Sequence, residues 1–359
     1  MFIYLDSMDI RSLVITPELL KLISEIDEFK GVWSVMHTLT PDRLQSLRKV
    51  ATIESIGSST RIEGSKLTDE QIETLLGGVI TKSFVTRDEQ EVAGYAELME
   101  TVFDNHNQIQ LTENYIKQLH SMLLRHSTKD ARHRGEYKKH PNNVEAFDES
   151  GKSLGVVFKT TKPFDTPREM QELLGWAREA LDDKSYHPLI VIGIFNVVFL
   201  AIHPFQDGNG RLSRALITLL LLKADYLYIP YSSLESIIEK NKDAYYLSLR
   251  RTQKTLGSNK ADWIPWLTFF LNSLKRQKDH LTSKIKQPSQ YTSLPIESVK
   301  ILEYLADHGR ITITQAVEIT GALRPTVKNR LKSLVESGLL ARHGKARGSW
   351  YSLVTGETA

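Results

Sequence analysis

Apolar residues recur along most of this chain at helical spacing, and in one place they run together. Leu189 to Ile202 reads LIVIGIFNVVFLAI, with Asn196 its only strongly polar residue. Such a run is long enough for a buried helix and too short to span a bilayer. A second apolar run, Leu212 to Leu222, follows a short polar stretch that contains Gly208-Asn209-Gly210. The pattern predicts helix, tight glycine-rich loop, helix.

The same spacing predicts helices elsewhere. Thr16 before Pro17 reads as an N-cap with proline at the first helical position, opening a helix through Phe29. Thr40-Pro41-Asp42 repeats the signal before Leu44, Leu47 and Val50, and Thr68 to Gln71 opens another helix. Residues 88–103 put Val92, Tyr95, Ala96 and Met99 at helical spacing. Further helices are expected from 111 to about 124, over 167–180 and 241–251, and from 262 to about 286. Ser153 to Thr161, SLGVVFKTT, is the best strand candidate outside the C-terminus.

Residues 287–295 have linker composition. Beyond them the pattern predicts a helix over 297–308, a short one over 313–319, a turn at Gly321 and a helix from Pro325 to about Glu336. Two strands then flank a Gly/Lys/Arg turn. This order resembles a winged-helix domain. Arg324, Lys328, Arg330 and Lys332 would lie on its third helix, with Arg342, Lys345 and Arg347 on the wing. Residues 296–359 hold nine Lys and Arg against six Asp and Glu. That modest surplus leaves DNA contact and protein contact both open.

Composition narrows the class. The 359 residues are 41% hydrophobic and 25% charged, as in a soluble globular protein, and the length suggests two or three domains or one large domain with an appendage. A net charge of +3 argues for neither nucleic acid nor membrane by itself. The absence of cysteine excludes disulfides, thiolate metal sites and a cysteine nucleophile, and fits a reducing compartment. No signal-peptide pattern opens the chain, so a cytoplasmic location is expected.

The candidate chemistry lies between the two apolar runs, in H-P-F-Q-D-G-N-G-R-L-S-R over 203–214. A glycine-rich loop at a helix N-terminus presents free N–H groups and the positive end of the helix dipole to one spot, which favours an anion. Around it stand His203, Asp207, Arg211 and Arg214. An imidazole, a carboxylate and two guanidiniums suit phosphoryl or nucleotidyl transfer. Phe205, apolar inside a polar loop, is expected to anchor the loop on the core. His120, His126, His133 and His140 lie six or seven residues apart, which is no metal-ligand spacing, and read as solvated loop or helix-surface residues.

The stretch 203–214 resembles the Fic family motif, H-x-F-x-[D/E]-G-N-G-R-x-x-R, at every specified position. The resemblance implies a mainly α fold: a Fic-type helical core with a small β-hairpin flap, plus the C-terminal winged helix. It implies transfer of AMP from ATP to a hydroxyl of a target protein. His203 would be the catalytic base. Asp207, Gly208, Asn209, Gly210, Arg211 and Arg214 would bind ATP, with Asp207 holding Mg2+.

A second resemblance lies at Ser59 to Gly64, S-x-x-x-E-G, which by itself reads as an ordinary helix end. Upstream of the main motif it resembles the family's inhibitory helix, and Glu63 would pair with Arg214. The flap would be Gly155, Val156, Val157 and Phe158. Tyr245 and Tyr246 resemble a pair bordering the adenine pocket, and Gln253 stands where some relatives have Asn. Gly135 to Lys138 resembles G-x-[Y/F]-R with lysine for arginine, which puts fork-like hydrogen bonding there in doubt.

The expected division is 1–105 as an N-terminal region with the inhibitory motif, 106–286 as the core, 287–295 as linker and 296–359 as the winged helix. Expected partners are ATP, a target protein, the chain itself as acceptor, a homodimer and DNA, with no membrane. A nucleotide-sensing DNA-binding regulator and an enzyme removing AMP stay open as alternatives.

Overall fold

The computed structural model describes residues 13–36, 39–77, 84–147, 153–257, 261–286, 294–344 and 349–354. The chain forms two compact units. Residues up to 37 together with 51–278 make one, and 38–50 with 279 onward make the other.

In the first unit the central elements are the predicted apolar pair. Helix α7, Pro188–Ile202, is buried from Leu189 to its end, and α8, Asn209–Lys223, is buried along nearly its whole length. They pack on each other and are enclosed by α4, Arg87–Asn105, α5, Glu113–Leu123, α6, Thr166–Asp182, and α10, Lys242–Gln253. Trp266 of α11, Ile264–Lys286, donates its indole N–H to the Gly193 carbonyl at 2.6 Å and so ties the outer helix to α7. The pattern of one all-round apolar pair and several one-faced helices is what a helical layer around a core requires.

Caps fall where the polar residues place them. Thr16 accepts from the Leu19 N–H at 3.2 Å and starts α1, Pro17–Ser34, which continues past Phe29 because no breaker stops it. Thr86 and Glu89 form a reciprocal capping box on α4. Helix α2, Pro41–Ile62, runs unbroken from the Thr40-Pro41 signal into the S-x-x-x-E-G motif. Between α2 and α4 lies α3, Asp69–Gly77. A 3-10 turn at Ile229–Tyr231 follows α8, and α9, Leu234–Lys240, precedes α10.

The hairpin pairs β1, Val144–Phe147, with β2, Ser153–Phe158, antiparallel, so the strand ends before Thr161. Gly155 stands opposite Ala146 and Val156 opposite Glu145.

The second unit holds α12, Ile296–His308, β3, Ile311–Thr312, α13, Ile313–Thr320, α14, Arg324–Glu336, β4, Leu340–His343, and β5, Trp350–Leu353. The three strands make one antiparallel sheet in the order β3-β5-β4. Ile301, Leu305, Ile311, Val327, Leu331 and Tyr351 are among its core residues. Arg324, Lys328 and Lys332 are exposed on α14, while Arg330 pairs with Glu297 at 3.3 Å and Lys332 lies 3.6 Å from Glu336. Lys345 and Arg347 lie outside the described residues.

Candidate nucleotide site

Helix α8 begins at Asn209, earlier than the apolar run suggests, because Gly208 takes φ +81 and serves as its N-cap. Asn209, Gly210 and Arg211 are therefore the first turn, whose N–H groups have no partner within the helix. This turn forms one wall of a cavity of about 790 Å³. Glu63, Phe158, His203, Asp207, Tyr245 and Tyr246 also line it, with Asp243, Arg250 and Gln253.

His203 follows the last turn of α7 in the left-handed region, φ +53, a conformation that costs a non-glycine residue about 1–2 kcal/mol. Neighbours hold it there. Its N–H donates to the Phe199 carbonyl at 2.9 Å, and its carbonyl accepts from Asn142 at 3.1 Å. Nδ1 stands 3.3 Å from the Leu200 carbonyl. A carbonyl only accepts, so Nδ1 carries the proton and Nε2 keeps its lone pair. Burial, helped by the nearby Lys138 ammonium, lowers the imidazole to about 4. It is a neutral base at physiological pH.

The carboxylate of Asp207 accepts the Gly208 N–H at 2.5 Å and an Arg211 N–H at 3.2 Å. Burial would raise its pKa, but Arg211 and the Gly208 N–H hold it below the usual carboxylate range. Arg211 is buried and bridges Asp207 to Glu91 of α4, 3.1 Å away, while Glu91 also accepts from Arg87 at 2.7 Å. Asn209, expected on phosphate oxygens, turns its amide to the loop itself. Its Oδ1 accepts the Phe205 N–H at 2.9 Å and its Nδ2 donates to the Phe205 carbonyl at 2.7 Å. Its second amide N–H and its backbone N–H are left for an anion.

Arg214 is buried and meets the S-x-x-x-E-G motif. Its Nε donates to the Ser59 hydroxyl at 2.9 Å, and its Nη2 donates to the Ser59 carbonyl at 2.9 Å and to Glu63 Oε1 at 2.8 Å. Burial alone would raise the Glu63 carboxyl, but Arg214 holds it below the usual range. The carboxylate rests directly on Gly210, where any Cβ would overlap it. An internal carboxylate thus occupies the first turn of α8, where an anion is favoured. The end of α2 is fastened by Arg61, which grips Glu239 with two N–H groups at 2.7 and 3.1 Å and Asp69 at 2.8 Å. Gly64, at φ +106, then turns the chain away.

Phe205 is fully buried, as its apolar character predicts, between Tyr137 and His120. The solvated reading of His120 is overturned. It is 0% exposed, stacked on Phe205 at a centroid distance of 3.8 Å. Its place on the face of α5 shared with Ile116, Leu119 and Leu123 was the available signal. His126 pairs with Glu97, His133 with Asp130, and His140 is exposed. Lys138 makes no fork. It points three donors at single acceptors, Asn142 at 2.8 Å, Thr160 at 3.0 Å and the Ile202 carbonyl at 2.9 Å. Glu91, Asn142 and Arg61 were not singled out in the sequence.

Tyr245 is 3% exposed and packs edge-on against Trp266, so it is both core and cavity wall, while Tyr246 is 38% exposed. Phe158 is the flap residue whose side chain reaches the cavity. For Gly155, Val156 and Val157 the description stops at the backbone.

A buried helix pair is joined by a loop, and the first helical turn after it, where an anion is favoured, lines one cavity with a neutral imidazole. Residues 110–221 match the model of the Fic/DOC family, and residues 298–341 match that of winged helix-turn-helix DNA-binding domains. The chain carries a Fic domain and a C-terminal winged helix.

It is 26% identical over 261 residues to the protein adenylyltransferase Fic of Drosophila mojavensis, covering 72% of this chain and 46% of that one. It is 27% identical over 110 residues to a probable protein adenylyltransferase of Aquifex aeolicus, covering 31% and 33%. The chain spans about half the length of the Drosophila relatives it matches. The crystal structure of a Fic family protein from Desulfovibrio desulfuricans G20 aligns with TM-score 0.61 at 25% identity, over 97% of this chain and 98% of that one. A Fic domain containing signaling protein from Bacteroides thetaiotaomicron aligns with TM-score 0.57 at 23% identity, over 74% and 95%. No helix among the described residues is long and apolar enough to cross a membrane.

Proposed function

We propose that the chain is a protein adenylyltransferase, moving AMP from ATP to a Ser, Thr or Tyr hydroxyl of a target protein, and that Glu63 restrains it. The observation that carries this reading is the neutral His203 Nε2 beside the first turn of α8, in one cavity with Tyr245 and Tyr246. ATP phosphates would take the N–H groups of that turn, and the base would lie along α10. His203 Nε2 would accept the proton of the attacking hydroxyl. The oxygen would bond to the α-phosphorus as the bond to the β-phosphate oxygen breaks, and pyrophosphate would leave. Arg211 and Arg214 would offset charge on the phosphates. Most of the rate would come from positioning and charge.

Asp207 is a single carboxylate beside the phosphate turn, a donor set that fits Mg2+, which takes its remaining oxygens from phosphates and water. Bound there, Mg2+ would neutralise phosphate charge. The Glu63–Arg214 pair supports autoinhibition, because a carboxylate on Gly210 and a γ-phosphate cannot share the place. The exposed Arg324 and Lys328 on α14 support DNA as a partner of the winged helix.

Incubation with ATP labelled at the α-phosphate, with Mg2+ and a lysate, tests the reading. Glu63→Gly is expected to label a protein, itself or another, and adding His203→Ala to lower this by about 10²–10⁴-fold. Mass spectrometry must find AMP on a hydroxyl. Transfer of phosphate alone, or nucleotide binding without transfer, would overturn it.

A further inference from the structure

We infer that His120 is a positioning residue for the ATP phosphates: its Nε2–H fixes the Asp207–Gly208 peptide so that the first turn of α8 faces the cavity. The inference rests on the ATP reading of that cavity. The imidazole sits between two backbone groups. Gly135 N–H lies 2.9 Å from Nδ1, and the Asp207 carbonyl lies 3.0 Å from Nε2. An amide N–H only donates and a carbonyl only accepts. One tautomer satisfies both, with Nδ1 bare and Nε2 protonated. Stacking on Phe205, with the rings 10° from parallel, fixes the ring plane.

The consequence follows from peptide planarity. The C=O and N–H of a trans peptide point in opposite directions. With the Asp207 carbonyl held toward α5, the Gly208 N–H must point away from α5, where the Asp207 carboxylate accepts it. This peptide is the one in the loop most able to turn over, because Gly208 tolerates either sign of φ. A turned peptide would set a carbonyl oxygen against the Asp207 carboxylate, which lines the cavity, in place of the N–H it accepts. Leu123, three residues along α5, closes from the same side: a Cβ at Gly208 would stand 3.0 Å from its Cδ2 and 3.6 Å from His120 Nε2. A side chain there would have to push Leu123 aside and adopt φ +81, so glycine stays and His120 restricts the peptide instead.

The test uses the full chain carrying Glu63→Gly, with calorimetric titration by ATP and, separately, by adenosine. His120→Gln reaches as far as Nε2 and can donate to the Asp207 carbonyl. His120→Asn reaches only the place of Nδ1. The Asn variant is expected to bind ATP about 10-fold more weakly, the value of one hydrogen bond near the upper end of its range. The Gln variant should stay within about 3-fold of its parent. Adenosine, which lacks phosphates, should bind all three alike. Should His120→Asn fail to fold, His120→Phe, which keeps the stack on Phe205, replaces it with the same expectation. An Asn or Phe variant that binds ATP like its parent, a Gln variant as weak as the Asn variant, or equal loss of ATP and adenosine overturns the role of His120. A parent that binds no ATP sinks the nucleotide reading itself, a separate outcome.

Discussion

Glu63 and Arg214 are 151 positions apart in the chain, and their charged groups meet at 2.8 Å. The contact is a single N–H to oxygen bond rather than a fork, because the same guanidinium also serves the hydroxyl and carbonyl of Ser59. Arg214 is held by Ser59 in the last turn of α2 and by Glu63 just beyond its end.

On the proposed function, Glu63→Gly is expected to activate, and to do so through Arg214. AMP incorporation should rise on the order of 10²-fold, the scale of a reactant misplaced by about 1 Å. Glu63→Gly combined with Arg214→Ala should lose the gain, since the released guanidinium is the agent. Incorporation by the wild type, both single variants and the double variant decides it. A double variant that keeps the gain would refute the pairing as the brake.

Glu91 holds Arg211 from α4, and both side chains are almost fully buried. Glu91→Gln removes the charge but keeps the shape. It should cost about 1–3 kcal/mol in unfolding free energy, because a buried guanidinium loses its ion-pair partner 3.1 Å away. The KM for ATP should rise, as Arg211 loses its support from behind. Denaturant midpoints and initial rates measure the two effects. An unchanged KM would mean that Asp207 alone positions Arg211.

Burial lowers the Lys138 ammonium to about 7, against an ordinary value near 10.5. Between these pH values the unfolded chain binds a proton that the folded chain has lost. Stability contributed by this group therefore rises with pH from about 7 to about 10 and is absent below. Lys138→Met should flatten that rise. Unfolding midpoints at pH 7 and pH 9.5 for both proteins give the difference, and parallel slopes would show that Lys138 stays charged throughout.

His203 has its pKa near 4 in the free chain. Its base form is complete well below neutral pH, so the acid limb of kcat/KM for Glu63→Gly should fall near pH 4 to 5 rather than near 6.5. A limb at 6.5 would mean that the imidazole is solvated when it works.

The loop at 203–214 was legible because its residue types and spacing act locally: two apolar runs fix the helices, and two glycines fix the turn between them. The Glu63 partner was legible only through resemblance, since no local rule joins α2 to α8. Glu91 escaped, and the burial of His120 and Lys138 was missed, for a physical reason. Each is a polar residue whose burial depends on an acceptor or donor supplied by another element, and spacing carries no trace of that partner. A helical wheel would have placed His120 and Glu91 among apolar neighbours without saying whom they meet. Asn209 shows a role that the motif alone does not reveal: its amide closes the loop on the Phe205 backbone.

A guanidinium as deeply enclosed as that of Arg214 is costly without an anion beside it. Glu63, just beyond the end of α2, supplies that anion, so its carboxylate is an internal counter-ion as well as the brake proposed above. Activity and fold integrity are then coupled through a single side chain. A variant freed at position 63 should unfold more readily when empty and regain the loss when ATP fills the site. Permanent activity and independence from nucleotide cannot both be gained by changing this residue.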